Sequence, residues 1–219
     1  MAAQLPLDLT IAPDYSDAAF IQGACNSEAY SAVNNVSMWA NNTLSLIGPH
    51  GCGKTHLGHI WARQHDTVCL DGNENFTPKS SWRGKAIWID NAQSADEFTL
   101  FTLINLAITS DVEALLLCDR NPPNQWNVDI PDLRSRLKNI QIAHLDEPDE
   151  DVLSSVLHKL FKDRGLKVSE ALISYLLANT DRSVNALRSL VRDLDKAAAQ
   201  KKANVTRSFA SKFLQGTLF

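Results

Sequence analysis

The sequence predicts an α/β fold: a P-loop core built on a five-stranded parallel sheet with helices on both faces, followed by a small all-helical unit. Two patterns and one motif carry that prediction. Short, almost wholly apolar runs recur through the first two thirds of the 219 residues, separated by stretches long enough for a helix. Strands that are apolar on both faces belong to parallel sheets covered on both sides. After Leu145 those runs stop, and apolar residues recur at helical spacing instead. Between the first run and the first helical stretch lies a glycine-rich loop, Gly48–Thr55, of the kind that holds phosphate.

Taken in order, Thr43–Ile47 is the first strand and Thr55–Gln64 the helix after it. Thr67–Leu70, Ala86–Ile89, Ala114–Cys118 and Ile140–Ile142 supply four more strands, with Asp96–Thr109 as another helix. In the second part, Asp151–Arg164 places Val152, Val156, Leu157, Leu160 and Phe161 on one helical face. Ser169–Ala178, Asp181–Gln200 and Thr206–Leu214 read as three further helices. The acidic, proline-broken turn Asp146–Asp151 marks the boundary, and the charge balance changes there too. Residues 1–145 carry 9 basic and 15 acidic side chains, residues 146–219 carry 12 and 10. The expected divisions are 1–12, a flexible peptide, 13–145, the core, and 146–219, the helical unit.

Composition narrows the function classes. With 44% hydrophobic and 21% charged residues the chain buries a core and is no disordered polymer. A net charge of −4 excludes a uniformly basic nucleic-acid coat. Cys25, Cys52, Cys69 and Cys118 form no C-x-x-C pair, which argues against a zinc ribbon or a thioredoxin-like site and fits buried free thiols in a reducing compartment. No apolar run exceeds five residues, and the N-terminal M-A-A-Q-L-P-L-D-L lacks the basic and apolar regions of a signal peptide. A soluble cytoplasmic protein without a membrane partner is expected.

Residues 48–55 read G-P-H-G-C-G-K-T. Gly48, Gly51 and Gly53 let the backbone wrap closely and aim successive N–H groups at a phosphate, at the start of a helix. Lys54 is the point charge for the β- and γ-phosphates, and the Thr55 hydroxyl a ligand for Mg²⁺. Pro49, His50 and Cys52 contribute backbone, and His56 follows directly. A second acid should end another buried strand, and Ala86–Ile89 runs into Asp90, the candidate for holding Mg²⁺ through water. The next residue is Asn91. An amide is no general base, so slow or absent intrinsic hydrolysis is expected.

Further segments bring a family into view. Phe20-Ile21-Gln22-Gly23 with Asn26 and Ala29-Tyr30 precedes the loop; Leu117–Pro122 contains Asp119; Asp132-Leu133-Arg134-Ser135-Arg136-Leu137 follows; Asp181–Leu187 opens a helix of the second part. Together with the two motifs above, these resemble the AAA+ ATPases of the DnaA branch over most of residues 4–205. The resemblance implies an AAA+ core with the strand Thr43–Ile47 at the centre of its sheet, and a helical lid, with ADP or ATP and Mg²⁺ as ligands. It implies a base pocket at Phe20, Ile21 and Gly23, a sensor 1 role for Asp119, and a trans-acting arginine finger at Arg136. The slot for the lid's sensor 2 arginine holds Asn185, so nucleotide-driven lid closure and a strong ATP-over-ADP preference are in doubt unless Arg182 or Arg188 substitutes. No counterpart of the initiator's helix-turn-helix DNA-binding domain follows the lid, and the lid's lysines and arginines read as a solvated surface.

Two peptides stand at the ends. Gln4-Leu5-Pro6-Leu7-Asp8-Leu9 resembles the Q-L-x-L-x-L peptide that binds the sliding clamp, the DNA polymerase beta subunit, with Leu5, Leu7 and Leu9 in an apolar groove and Gln4 fixing the register. Gln215-Gly216-Thr217-Leu218-Phe219 fits the Q-x-x-L-F form, and two readings stay open for it: packing of Leu218 and Phe219 on the lid, or a second clamp contact. The resemblance implies a clamp-associated regulator of replication initiation that promotes hydrolysis of DnaA-bound ATP, meeting DNA through the clamp and the nucleoid. An autonomous ATPase of the helicase-loader type is the alternative. Self-association is left open.

Overall fold

The computed structural model describes residues 14–216, which fall into two compact units, one spanning Tyr15–Glu147 and the other formed by the residues from Pro148 onward together with Asp14. In the first, five strands form one sheet: β1 (Thr43–Ile47), β2 (Thr67–Asp71), β3 (Ala86–Asp90), β4 (Ala114–Asp119) and β5 (Gln141–His144). Their order is β2-β3-β4-β1-β5, and every pairing is parallel. β1 is interior, bonded to β4 on one side and β5 on the other, but β4 takes the middle place expected for β1.

Alternation along the strands explains the two covering layers. Leu44 and Leu46 of β1, Trp88 of β3, and Leu116 and Cys118 of β4 face one side. There they meet Ala29 and Val33 of α1 (Ser27–Val33) and Leu57, Ile60 and Trp61 of α2 (Lys54–Gln64). Ile87, Ile89, Leu115 and Leu117 face the other side. They pack on Leu100, Leu103 and Ile104 of α3 (Glu97–Ile108) and on Leu133 and Leu137 of α4 (Pro131–Leu137). α2 and α4 therefore cover opposite faces of the sheet. The two seven-residue helices α1 and α4 escape the periodicity, because so short a segment offers only two buried positions each.

The second unit holds α5 (Glu150–Lys162), α6 (Glu170–Asn179), α7 (Val184–Lys201) and α8 (Arg207–Leu214). Each opens with a side-chain cap: Asp149, Ser169, Ser183 and Thr206 accept the N–H of Val152, Leu172, Ala186 and Phe209. Such caps contribute about 1 kcal/mol each and set where each helix begins. The core is Leu153, Leu157 and Phe161 with Leu172, Leu176, Leu187, Val191 and Leu194. On α5, Leu153 is buried where the helical face drawn from sequence omitted it, while Val156 and Leu160 of that face are only half-buried.

One contact within the first unit is unusually tight. A Cβ on Gly58 would lie 2.3 Å from the Trp88 ring, whose Nε1–H donates to Cys118 Sγ at 3.3 Å. Alanine is the better helix former by about 1 kcal/mol, yet overpacking a core costs about 1–3 kcal/mol. Gly58→Ala is therefore expected to lower stability in urea unfolding; an unchanged or raised midpoint would show that Trp88 yields freely.

Candidate nucleotide site

In a parallel sheet, ligands gather where the strands end. Here Asp71 of β2 pairs with Asp90 of β3, and Ile47 of β1 with Asp119 of β4, so the acids and the glycine loop leave one edge together. The loop fits only glycine at its critical points. A Cβ on Gly48 would sit 2.2 Å from the Leu145 carbonyl oxygen, and Gly53 has φ +111°. α2 starts at Lys54 with no side-chain cap, which leaves its first N–H groups to a ligand. The Lys54 ammonium donates to Gly48 O at 2.6 Å and Pro49 O at 2.8 Å, so the cation lies within the loop itself. Cys52 is buried beside it; burial pushes its thiol up more than Lys54 pulls it down, so it is no nucleophile.

The Thr55 hydroxyl donates to Asp90 Oδ2 at 2.8 Å. A hydroxyl and a carboxylate side by side are the hard oxygen pair that suits Mg²⁺. Asn91 does not face this pair with its side chain: its amide donates to Asp71 Oδ1 at 3.0 Å. Asp119 is held by the N–H groups of Gln93 and Arg120, at 2.7 and 2.6 Å. None of Asp71, Gly72 or Gln93 was singled out by sequence. The only signal was Asp71 at the end of an apolar run, as Asp90 is.

The segment ahead of the loop is pinned by Asn26, 5% exposed. Its Oδ1 accepts Gly23 N–H at 3.0 Å and its amide donates to Ile21 O at 2.9 Å. Phe20 stacks on Tyr30 and meets His56 edge-on, and its ring would lie 3.5 Å from a Cβ on Gly53, so it stands beside the glycine loop. His56 in turn bonds Ser16 O at 2.9 Å through Nε2. His59, stacked on Tyr15 and edge-on to Trp88, has its pKa lowered chiefly by burial.

Arg136 lies on α4, its guanidinium 5.2 Å from the centre of the Phe101 ring. Among the described residues no ion pair involves it, whereas Arg134 donates to the Val128 carbonyl. Asn185 is an exposed residue in the first turn of α7, in the other unit. Arg182 pairs with Glu150 at 3.2 Å. Of the clamp-type peptides, Gln4, Leu5, Leu7 and Leu9, and Leu218 and Phe219, lie outside the described residues; Gln215 caps α8. Cys118 is buried like Cys52, but Cys69, on the edge strand β2, is exposed, against the expectation of buried thiols.

The strand order, with a glycine loop leaving β1 and an acid leaving β3, is that of the AAA+ class of P-loop folds. Domain III of the Thermotoga maritima replication initiation protein DnaA superposes with a TM-score of 0.76 at 21% identity, covering 94% of this chain and 97% of that one. AMPPCP-bound DnaA from Aquifex aeolicus gives 0.64 at 17%, over 84% of this chain and 67% of that one. A Thermotoga maritima RuvB variant gives 0.67 at 17%, over 89% and 69%. Residues 149–214 match the family model described as "Hda, lid domain". The fold is thus shared with DnaA domain III and RuvB, and over residues 149–214 the chain is similar to the lid domain of Hda. Among the described residues no helix is long and apolar enough to cross a membrane.

Asn26→Ala removes both bonds that hold residues 21–23 and strands Gly23 N–H and Ile21 O. A loss of about 2 kcal/mol is expected in denaturant unfolding. Wild-type stability would mean the segment is held by its aromatic contacts alone.

Proposed function

We propose that this chain is a clamp-associated regulator of replication initiation, which holds an adenine nucleotide itself and promotes hydrolysis of ATP bound to DnaA. The observation that carries the reading is the placement of Arg136. Its helix covers the sheet face opposite the one covered by the phosphate-loop helix, and its guanidinium rests on an aromatic ring rather than on an acid. An arginine so placed is suited to another subunit's phosphates, where it stabilises charge on the transferred phosphoryl group.

The chain's own site is suited to holding more than to hydrolysing. Gly48–Thr55 and His56 cradle phosphate, Phe20, Ile21 and Gly23 border the base, and Thr55 with Asp90 hold Mg²⁺, which neutralises phosphate charge when bound. No carboxylate stands at position 91, where the amide is turned to Asp71. Asn185, without charge, adds nothing to γ-phosphate reading, and Arg182 is engaged with Glu150. That DnaA structures are described with bound AMPPCP supports an adenine nucleotide. Recruitment rests on Gln4–Leu9, with Gln215–Phe219 as a second contact to be tested; cytoplasmic and nucleoid placement follows from the clamp.

Two measurements test this. Calorimetric titration should show ADP bound at least as well as ATP, and Lys54→Ala should weaken both; equal binding by the two proteins would remove the phosphate-loop reading. In a reconstituted assay with clamp, DNA and DnaA, Arg136→Ala should lower DnaA-ATP hydrolysis by about 10³-fold. Full stimulation by that variant would overturn the trans mechanism, and rapid turnover by the chain alone would favour a loader-type ATPase.

A further inference from the structure

The turns that leave β2 and β3 are sewn together. Gly72 N–H donates to Asp90 O at 2.7 Å, and a Cβ on Gly72 would lie 2.1 Å from Asn91 O. Asn91 is left-handed, with φ 53° and ψ 44°, a conformation asparagine tolerates better than most residues. Its backbone N–H donates to Asp90 Oδ1 at 3.1 Å, and its amide donates to Asp71 Oδ1 at 3.0 Å. The same Asp71 oxygen accepts the backbone N–H and the amide of Asn73, at 3.0 and 2.9 Å. Asp90 Oδ2, the remaining oxygen, accepts the Thr55 hydroxyl at 2.8 Å.

The Asp90 carboxylate is therefore oriented from two sides: by Thr55 on one oxygen and by the Asn91 N–H on the other. The direction of that N–H depends on the left-handed turn, and the turn is tied down through the Asn91 amide. We propose that Asp71 is a positioning residue for Asp90: by holding the Asn91 amide it fixes the turn that aims Asp90 at Thr55, where the two would hold a divalent cation. This deepens the nucleotide reading and rests on it. Its chemistry also accounts for an amide at position 91. The Asn73 N–H, then the Asn91 amide, keep the Asp71 carboxyl below the usual carboxylate range, so Asp71 only accepts. A second carboxylate at position 91 would meet it as a like charge without a proton to share.

The test is the Mg²⁺ dependence of ADP affinity, measured by calorimetry on the full chain in Mg²⁺ and in EDTA, with urea unfolding to establish that each variant is folded. Wild type should bind more tightly in Mg²⁺. Asp71→Ala should bring the ratio of the two affinities close to one while affinity in EDTA stays within about twofold of wild type. Asp71→Asn keeps an accepting Oδ1 and should retain the ratio. Asn91→Asp, which sets a like charge against the Asp71 oxygen in place of a donor, should lose it. A wild-type ratio in Asp71→Ala would overturn the proposal, as would an equal loss with and without Mg²⁺, the mark of a merely structural residue. A wild type that binds ADP equally in both conditions would instead remove the Thr55–Asp90 cation reading, and the proposal with it.

Discussion

The parallel register of the sheet is the constraint on which the rest of the first unit depends. Strands running one way must end on one edge, and the pairings of Asp71 with Asp90 and of Ile47 with Asp119 bring the glycine loop and three acids to it. A shift of one residue in any strand would turn its buried side chains to the wrong layer, because the side-chain period is two. Leu115 and Leu117 would then trade faces with Leu116 and Cys118, all four of them fully buried. The site is therefore fixed by packing: the same apolar alternation that closes the two layers also sets which acid lies opposite which.

Within that frame the polar groups at the sheet edge are already bonded to the protein. Lys54 is on its own loop, Thr55 on Asp90, Asn91 on Asp71, and Asp119 on two backbone N–H groups. A site whose groups are all engaged is preorganised for binding, since little side-chain entropy remains to be lost. At position 91, next to Asp90, stands an amide turned to Asp71, a feature that bears on hydrolysis and not on binding. Burial likewise leaves the Cys52 and Cys118 thiols protonated, so neither serves as a nucleophile.

Much of this was legible in the sequence, and the exceptions share a cause. All five strands and the six longer helices follow from apolar runs and their periodicity, and the phosphate loop from its glycine spacing. α1 and α4 are too short for periodicity to register. Of the residues at the sheet edge, Lys54, Thr55 and Asp90 were readable because each sits at a fixed offset from a strand or a glycine, and Asp119 only through the family resemblance. Asp71, Gly72 and Gln93 were not, because their roles come from register between strands distant in sequence. The direction of the Asn91 amide was equally hidden: composition tells which group a residue carries, and only the backbone at φ 53° tells where it points.

Charge is where sequence counting misleads most. Residues 146–219 carry two more basic than acidic side chains, which reads as a weakly cationic surface. In the folded unit several of those cations have acids at hand: Lys159 with Asp163, Arg164 with Asp195, Arg182 with Glu150, and Arg192 with Asp193. Apart from Arg164, whose side chain is only 9% exposed, these are exposed pairs that contribute little stability, but each places a negative charge within 4 Å of a positive one and shortens the reach of its field. A surface of mixed sign steers nucleic acid poorly, because attraction to phosphate depends on uncompensated positive charge.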